Sequence, residues 1–130
     1  MIFRLSARAT TFAALLLLTA LFSPANALER DVTISTYQGP CRDGDFAANL
    51  AVVRSMVAEA RRRNSDFVVF PETFLSGYAS REVMLKGARR IDDPELAGFI
   101  AESLEHGMVV LVGLARVTDE GVYNSVLVIE

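Results

Sequence analysis

The residues whose types and spacing could do chemistry lie between positions 64 and 78. There Asn64-Ser65-Asp66-Phe67-Val68-Val69-Phe70 runs into Pro71-Glu72-Thr73-Phe74-Leu75-Ser76-Gly77-Tyr78. A short apolar run delivers a carboxylate into a turn rich in small residues, an arrangement that presents a general base. Residues 67–70 read as a buried strand, too short for a helix and bounded by polar residues on one side and proline on the other. Pro71 removes a ladder donor and ends the strand. Glu72 is therefore placed at the strand's carboxyl end, where open α/β sheets bind ligands. A glutamate after a strand is more often a solvated loop carboxylate, so the surrounding pattern must decide.

Three other side chains have reactive or ligating potential. Cys41, the only cysteine, sits in the loop Gly39-Pro40-Cys41-Arg42-Asp43-Gly44. Arg42 and a following helix N-terminus are groups that lower a thiol pKa, and the alternative is an incidental loop residue. Lys86, the only lysine, falls in a short helical or irregular stretch and reads as a solvated cation. His106, the only histidine, is placed in the last turn of a helix before Gly107, where a cation suits the helix dipole. No second metal-ligand type clusters with it, so a metal site is not expected.

The elements that must position Glu72 follow from periodicity. Residues 31–38 alternate as a strand does, and Gly-Pro and Asp-Gly pairs then mark a loop. From the N-cap Asp45, the residues Phe46, Leu50, Val53, Val57 and Ala60 recur at helical spacing, with Glu59 and Arg63 forming an i,i+4 pair. Arg61, Arg62 and Arg63 read as a solvated helix terminus. After the glutamate turn comes a short helix or irregular excursion over 80–90. Asp93 then caps a second helix with Pro94 at its first position, and Gly107 stops it. Residues 108–112 read as a strand covered on both faces, and Thr118-Asp119-Glu120-Gly121 turns it back into an antiparallel partner over 122–129. The order β-α-β-α-β-β defines an α/β fold.

Phe-Pro-Glu-x-Phe-x-x-Gly-Tyr, behind an amphipathic helix and an Asp-Phe-Val-Val strand, resembles the first catalytic block of the nitrilase superfamily, the carbon-nitrogen hydrolases. The resemblance extends to Gln38 closing the first strand, to residues 45–50 opening the helix, to Gly113 in the third strand and to Tyr123-Asn124-Ser125 in the fourth. It implies an α-β-β-α sandwich of two sheets, of which this chain would supply about the first third, and homo-oligomers when the fold is full length. It also implies a Glu-Lys-Cys hydrolase that acts on non-peptide C–N bonds of small amides or nitriles, with water as second substrate and no metal or organic cofactor. The glutamate takes the cysteine's proton, the thiolate attacks carbon and the lysine steadies the developing charge. Glu72 matches the glutamate. The family's lysine and cysteine fall beyond the strand that contains Asn124, and Cys41 precedes the glutamate where the family's nucleophile follows it. Tyr78 and Phe74 are close enough in sequence to line the site, or to pack the turn against the core.

Residues 1–27 have the chemistry of a secretory signal: Arg4 and Arg8, an apolar core over 9–22, and Ala25-Asn26-Ala27 before Leu28. The apolar run is shorter than the roughly 20 residues of a bilayer span. Export to the periplasm or medium is expected, with no stable membrane anchor once the signal is cleaved, and residues 28–130 are expected to be the N-terminal part of a hydrolase domain. Cleavage would remove two arginines and no acid from a chain of net charge -3, which disfavours a nucleic-acid partner. The sequence stops within an apolar strand, so a partial record is expected. Two other readings remain: a truncated, inactive family remnant, and a ligand-binding α/β module of an exported solute-binding protein that uses Glu72 as a contact.

Overall fold

A computed structural model describes residues 31–130, so the expected signal over 1–27 lies outside the described residues. The elements are β1 (Ile34–Thr36), α1 (Phe46–Arg62), β2 (Phe67–Val69), α2 (Arg81–Gly87), α3 (Pro94–Leu104), β3 (Val109–Val117) and β4 (Val122–Ile129). They form one four-stranded sheet in the order β1-β2-β3-β4. The first three strands are parallel and β4 returns antiparallel to β3.

The helices begin where side-chain acceptors meet free backbone donors. Asp45 Oδ1 accepts from Ala48 N at 3.1 Å, and Asp93 Oδ1 accepts from Glu95 N at 3.0 Å with Pro94 following it. Ser80 caps α2 through Val83 N at 3.2 Å, resolving the 80–90 stretch into a seven-residue helix. The i,i+4 pair is formed, Arg63 Nε donating to Glu59 Oε1 at 2.8 Å. Together with Arg62 it holds the Glu59 carboxyl below its usual range.

Helices α1 and α3 lay Phe46, Leu50, Val53, Val57, Leu96 and Phe99 onto one face of the sheet. There they meet Val68, Val110, Val112, Leu114 and Ile129. On the opposite face alternation turns other side chains out. Ile34, Val126 and Val128 remain 58%, 60% and 52% exposed. The expectation of a strand covered on both faces therefore holds for only part of β3. Val109 and Leu111 are half-buried, whereas Gly113 is covered on its outer side by the turn that carries Glu72.

Several boundaries differ from the sequence reading: β2 ends one residue early, at Val69, and β3 runs on to Val117, beyond the expected 108–112. The first strand shrinks to three residues, and α3 ends at Leu104, so His106 follows the helix instead of lying in its last turn. The His106 N–H bonds Ser103 O at 3.1 Å, and its Nδ1 accepts from Arg61 Nη1 at 3.3 Å, because a guanidinium only donates. His106 is thus occupied by a neighbouring cation rather than complementing the helix end.

Candidate functional site

The turn after β2 leaves the sheet without losing contact with it. Phe70 N still bonds Leu111 O at 2.9 Å, and Leu75 N bonds Gly113 O at 3.0 Å, so the segment between them arches over β3. The arch fits because residue 113 has no side chain. A Cβ there would stand 2.4 Å from Thr73 N, 2.7 Å from Pro71 O and 2.8 Å from Glu72 C, all of them backbone atoms. The sequence pattern that singled out Gly113 thus has a mechanical reason.

Thr73 takes φ +45°, a left-handed conformation that is costly for a β-branched residue. Several bonds hold it there. Thr73 Oγ1 donates to Gly77 O at 3.2 Å, and Ser76 N and Gly77 N bond back to Thr73 O at 2.8 and 2.9 Å. Phe74 and Leu75 are wholly buried. Phe74 packs edge-on against Tyr37 with ring centroids 5.1 Å apart, and it also meets Phe70. Between the two roles open to Phe74 in the sequence, the structure assigns core packing. Buried Ser76 ties the turn sideways: its Oγ accepts from Ala115 N at 2.8 Å and donates to Gly87 O at 3.4 Å.

The loop over 39–44 clamps the far end of the turn. Asp43 Oδ1 accepts from Tyr78 N at 2.8 Å and Ala79 N at 3.2 Å, and Gly44 N bonds Ser76 O at 3.1 Å. Gly77, at φ +91°, permits the approach, since a Cβ there would lie 2.7 Å from Asp43 Cα. Buried Asn49 joins both segments, accepting from Arg42 N and donating to Arg42 O and Leu75 O. Asp43 and Asn49 are positioning residues that periodicity and motif matching missed. Their partners are set by tertiary contact, with Asn49 appearing in the sequence only as part of a helix start.

Glu72 emerges from this framework at the carboxyl end of β2. Its side chain is solvent-exposed, and its Oε1 accepts a hydrogen bond from Asn124 Nδ2 of β4. Asn124 and Thr73, the residue next to Glu72, line a pocket of about 460 Å³ with Arg81, Met84, Leu85, Ala115 and Tyr123. Tyr78 is 45% exposed, unlike Phe74. Burial pushes its phenol above the ordinary value, and the nearby Cys41 and Glu72 add to that rise. Cys41 and Glu72 therefore each lie within electrostatic reach of Tyr78.

Cys41 is half-buried against the core, and its thiol is pushed up by burial first and by the Asp43 carboxylate second, outweighing a backbone hydrogen bond. The helix-start and Arg42 argument for an activated thiol is overridden first by burial and second by Asp43, which belongs to the same loop. Lys86 is exposed and its stem runs beside Gly44, a place consistent with a solvated cation. Among the described residues no three His, Cys, Asp or Glu side chains cluster as a metal site requires.

A mixed α/β sheet, parallel over its first three strands and carrying a carboxylate at a strand's carboxyl end on an arch over a glycine, belongs to the open α/β class, in which ligands bind at that end. The profile described as Carbon-nitrogen hydrolase matches residues 33–130, and the chain belongs to that family. A glutamine-dependent NAD(+) synthetase of Thermotoga maritima is 35% identical over 88 residues, covering 67% of this chain and 15% of that protein. An (R)-stereoselective amidase of Pseudomonas sp is 31% identical over 84 residues, covering 65% of this chain and 30% of the relative. A CN-hydrolase superfamily protein from Xanthomonas campestris, solved with an arsenic adduct in its active site, superposes with a TM-score of 0.65 at 32% identity. That match covers 76% of this chain and 36% of the solved one. The chain therefore spans well under half the length of each of these proteins.

Proposed function

We propose that this chain supplies the general base, Glu72, of an exported amidase or nitrilase that cleaves non-peptide C–N bonds of small molecules. The carrying observation is the Glu72 carboxylate at the end of β2, anchored on Oε1 by Asn124 and set beside a pocket. A carboxylate in that place has a second oxygen free to take a proton from an incoming thiol. The thiolate would attack the nitrile or amide carbon, a lysine would steady the charge that develops, and water would release the product. In this reading the thiol and the lysine come from the part of the domain that the relatives carry beyond the matched region. The raised thiol pKa of Cys41 argues against its serving as that nucleophile. Relatives named as an (R)-stereoselective amidase, an arylacetonitrilase and a nitrilase support small amides or nitriles as substrates. The basic and apolar character of residues 1–27 supports export.

The test has two stages. The coding frame downstream of Glu130 is read for a lysine after a strand followed by a cysteine in a sharp turn. Glu72→Gln is then introduced into the complete polypeptide. The amide cannot accept the thiol proton, so the fold should persist while turnover is lost. Turnover like that of the wild type in the variant refutes the assignment.

A further inference from the structure

We infer that Asn124 is a positioning residue for the base: its side-chain amide fixes one oxygen of Glu72 so that the other faces the reacting thiol. The inference rests on the reading of Glu72 as the base and deepens it, making the Asn124 contact a condition of efficient turnover.

Asn124 stands on β4 directly opposite Ala115 of β3. Two positions along the same face of β3 lies Gly113, over which the Glu72 turn arches. Strand register therefore brings residues 72 and 124 together, and the Asn124 Nδ2 to Glu72 Oε1 bond closes the gap. A carboxylate only accepts, so the NH₂ end of the amide must be the end that faces it. An asparagine is well suited here. It is neutral, donates without supplying a proton of its own, and its short stem on a strand has few rotamers to lose. Asp at the same place would set two carboxylates against each other, whereas Leu would fill the space and donate nothing.

The turn alone does not fix the carboxylate. Thr73, Phe74, Leu75 and Ser76 hold the backbone beneath it, whereas the Glu72 side chain is exposed and, among the described residues, takes its hydrogen bond from Asn124. Because Asn124 and Thr73 also form part of the wall of the 460 Å³ pocket, that bond holds the base at the pocket's rim. Misplacing a reacting group by an ångström costs about 100-fold in rate. Loss of the tether should therefore act on the chemical step more than on binding.

Two measurements test this. In the 130-residue chain, the Asn124 side-chain NH₂ signals in a ¹H–¹⁵N spectrum should move clearly when Glu72→Ala removes the acceptor. In the complete hydrolase, Asn124→Leu and Asn124→Asp should lower kcat by ~10- to 100-fold with KM within about threefold. Asn124→Gln, which keeps an NH₂ donor, should retain more kcat than either, and thermal melts should verify that all three fold. Wild-type kcat in both Asn124→Leu and Asn124→Asp alongside a dead Glu72→Gln overturns the positioning role and leaves the base intact. An active Glu72→Gln overturns the base itself. Amide signals indifferent to Glu72 overturn the contact.

Discussion

Replacing Gly113 by alanine is the sharpest perturbation of the arch that carries Glu72. The new methyl would stand 2.4 Å from Thr73 N, where ordinary contact begins at 3.4 Å, so the arch must withdraw by about 1 Å. All three obstructing atoms are backbone, and no side chain can swing aside. Overpacking of this kind costs about 1–3 kcal/mol, against which alanine recovers roughly 0.5–1 kcal/mol of the entropy that glycine loses in a strand. At mid-range the net loss is about 1.25 kcal/mol, which should lower the melting temperature of a unit this size by about 5–10 °C. Under the proposed function, in a polypeptide that carries the rest of the domain, a shift of about 1 Å in Glu72 should reduce kcat about 100-fold. Gly98 provides the control, because a Cβ there meets only Arg54 Nη2 at 3.8 Å. Gly98→Ala, inside α3, should raise stability by about 0.5–1 kcal/mol. Circular dichroism melts of both variants, with kcat measured in the complete enzyme, make the comparison. A Gly113→Ala protein that melts and turns over like the wild type would refute the claim that the arch rests on β3.

Two further outcomes follow from other parts of the molecule. Cys41 should react with iodoacetamide more slowly than a free thiol at pH 7.5. Its raised pKa, from burial and then Asp43, leaves less thiolate at any given pH, so its rate should reach half-maximum above the ordinary value of 9.0; a midpoint below 9.0 would contradict this. Ser103 is buried and its Oγ has no hydrogen-bond partner among the described residues, so Ser103→Ala should raise the urea midpoint by an amount equivalent to about 1 kcal/mol. A fall of that size would show that the hydroxyl has a role in the fold.

What local chemistry determines could be read directly from the chain. The caps at Asp45 and Asp93, Pro94 at a helix start, the Glu59–Arg63 pair and the hairpin at 118–121 all depend on neighbours within a few residues. The strand over 67–69 and the placing of Glu72 at its end were legible for the same reason: an apolar run ended by proline leaves little choice. Features decided by distant partners were not. Asp43 accepts from amides 35 and 36 residues away, and Asn124 meets Glu72 across 52 residues. No periodicity carries those pairings, although Gly113 and Asn124 were already marked by the resemblance. The first strand was overextended because alternation persists beyond the point where β2 offers a partner, and β1 is paired over three residues only.

The bonds that join the 39–44 loop to the 72–79 turn have a dynamic corollary. Asp43, Gly44 and Asn49 each bridge the two segments, so neither can lift away without breaking contacts of the other. The pair should open as one cooperative unit, and the Gly44 and Tyr78 amides should exchange with solvent deuterium at a shared free energy of opening. The excursions that release the loop would then be the same ones that carry the glutamate out of register.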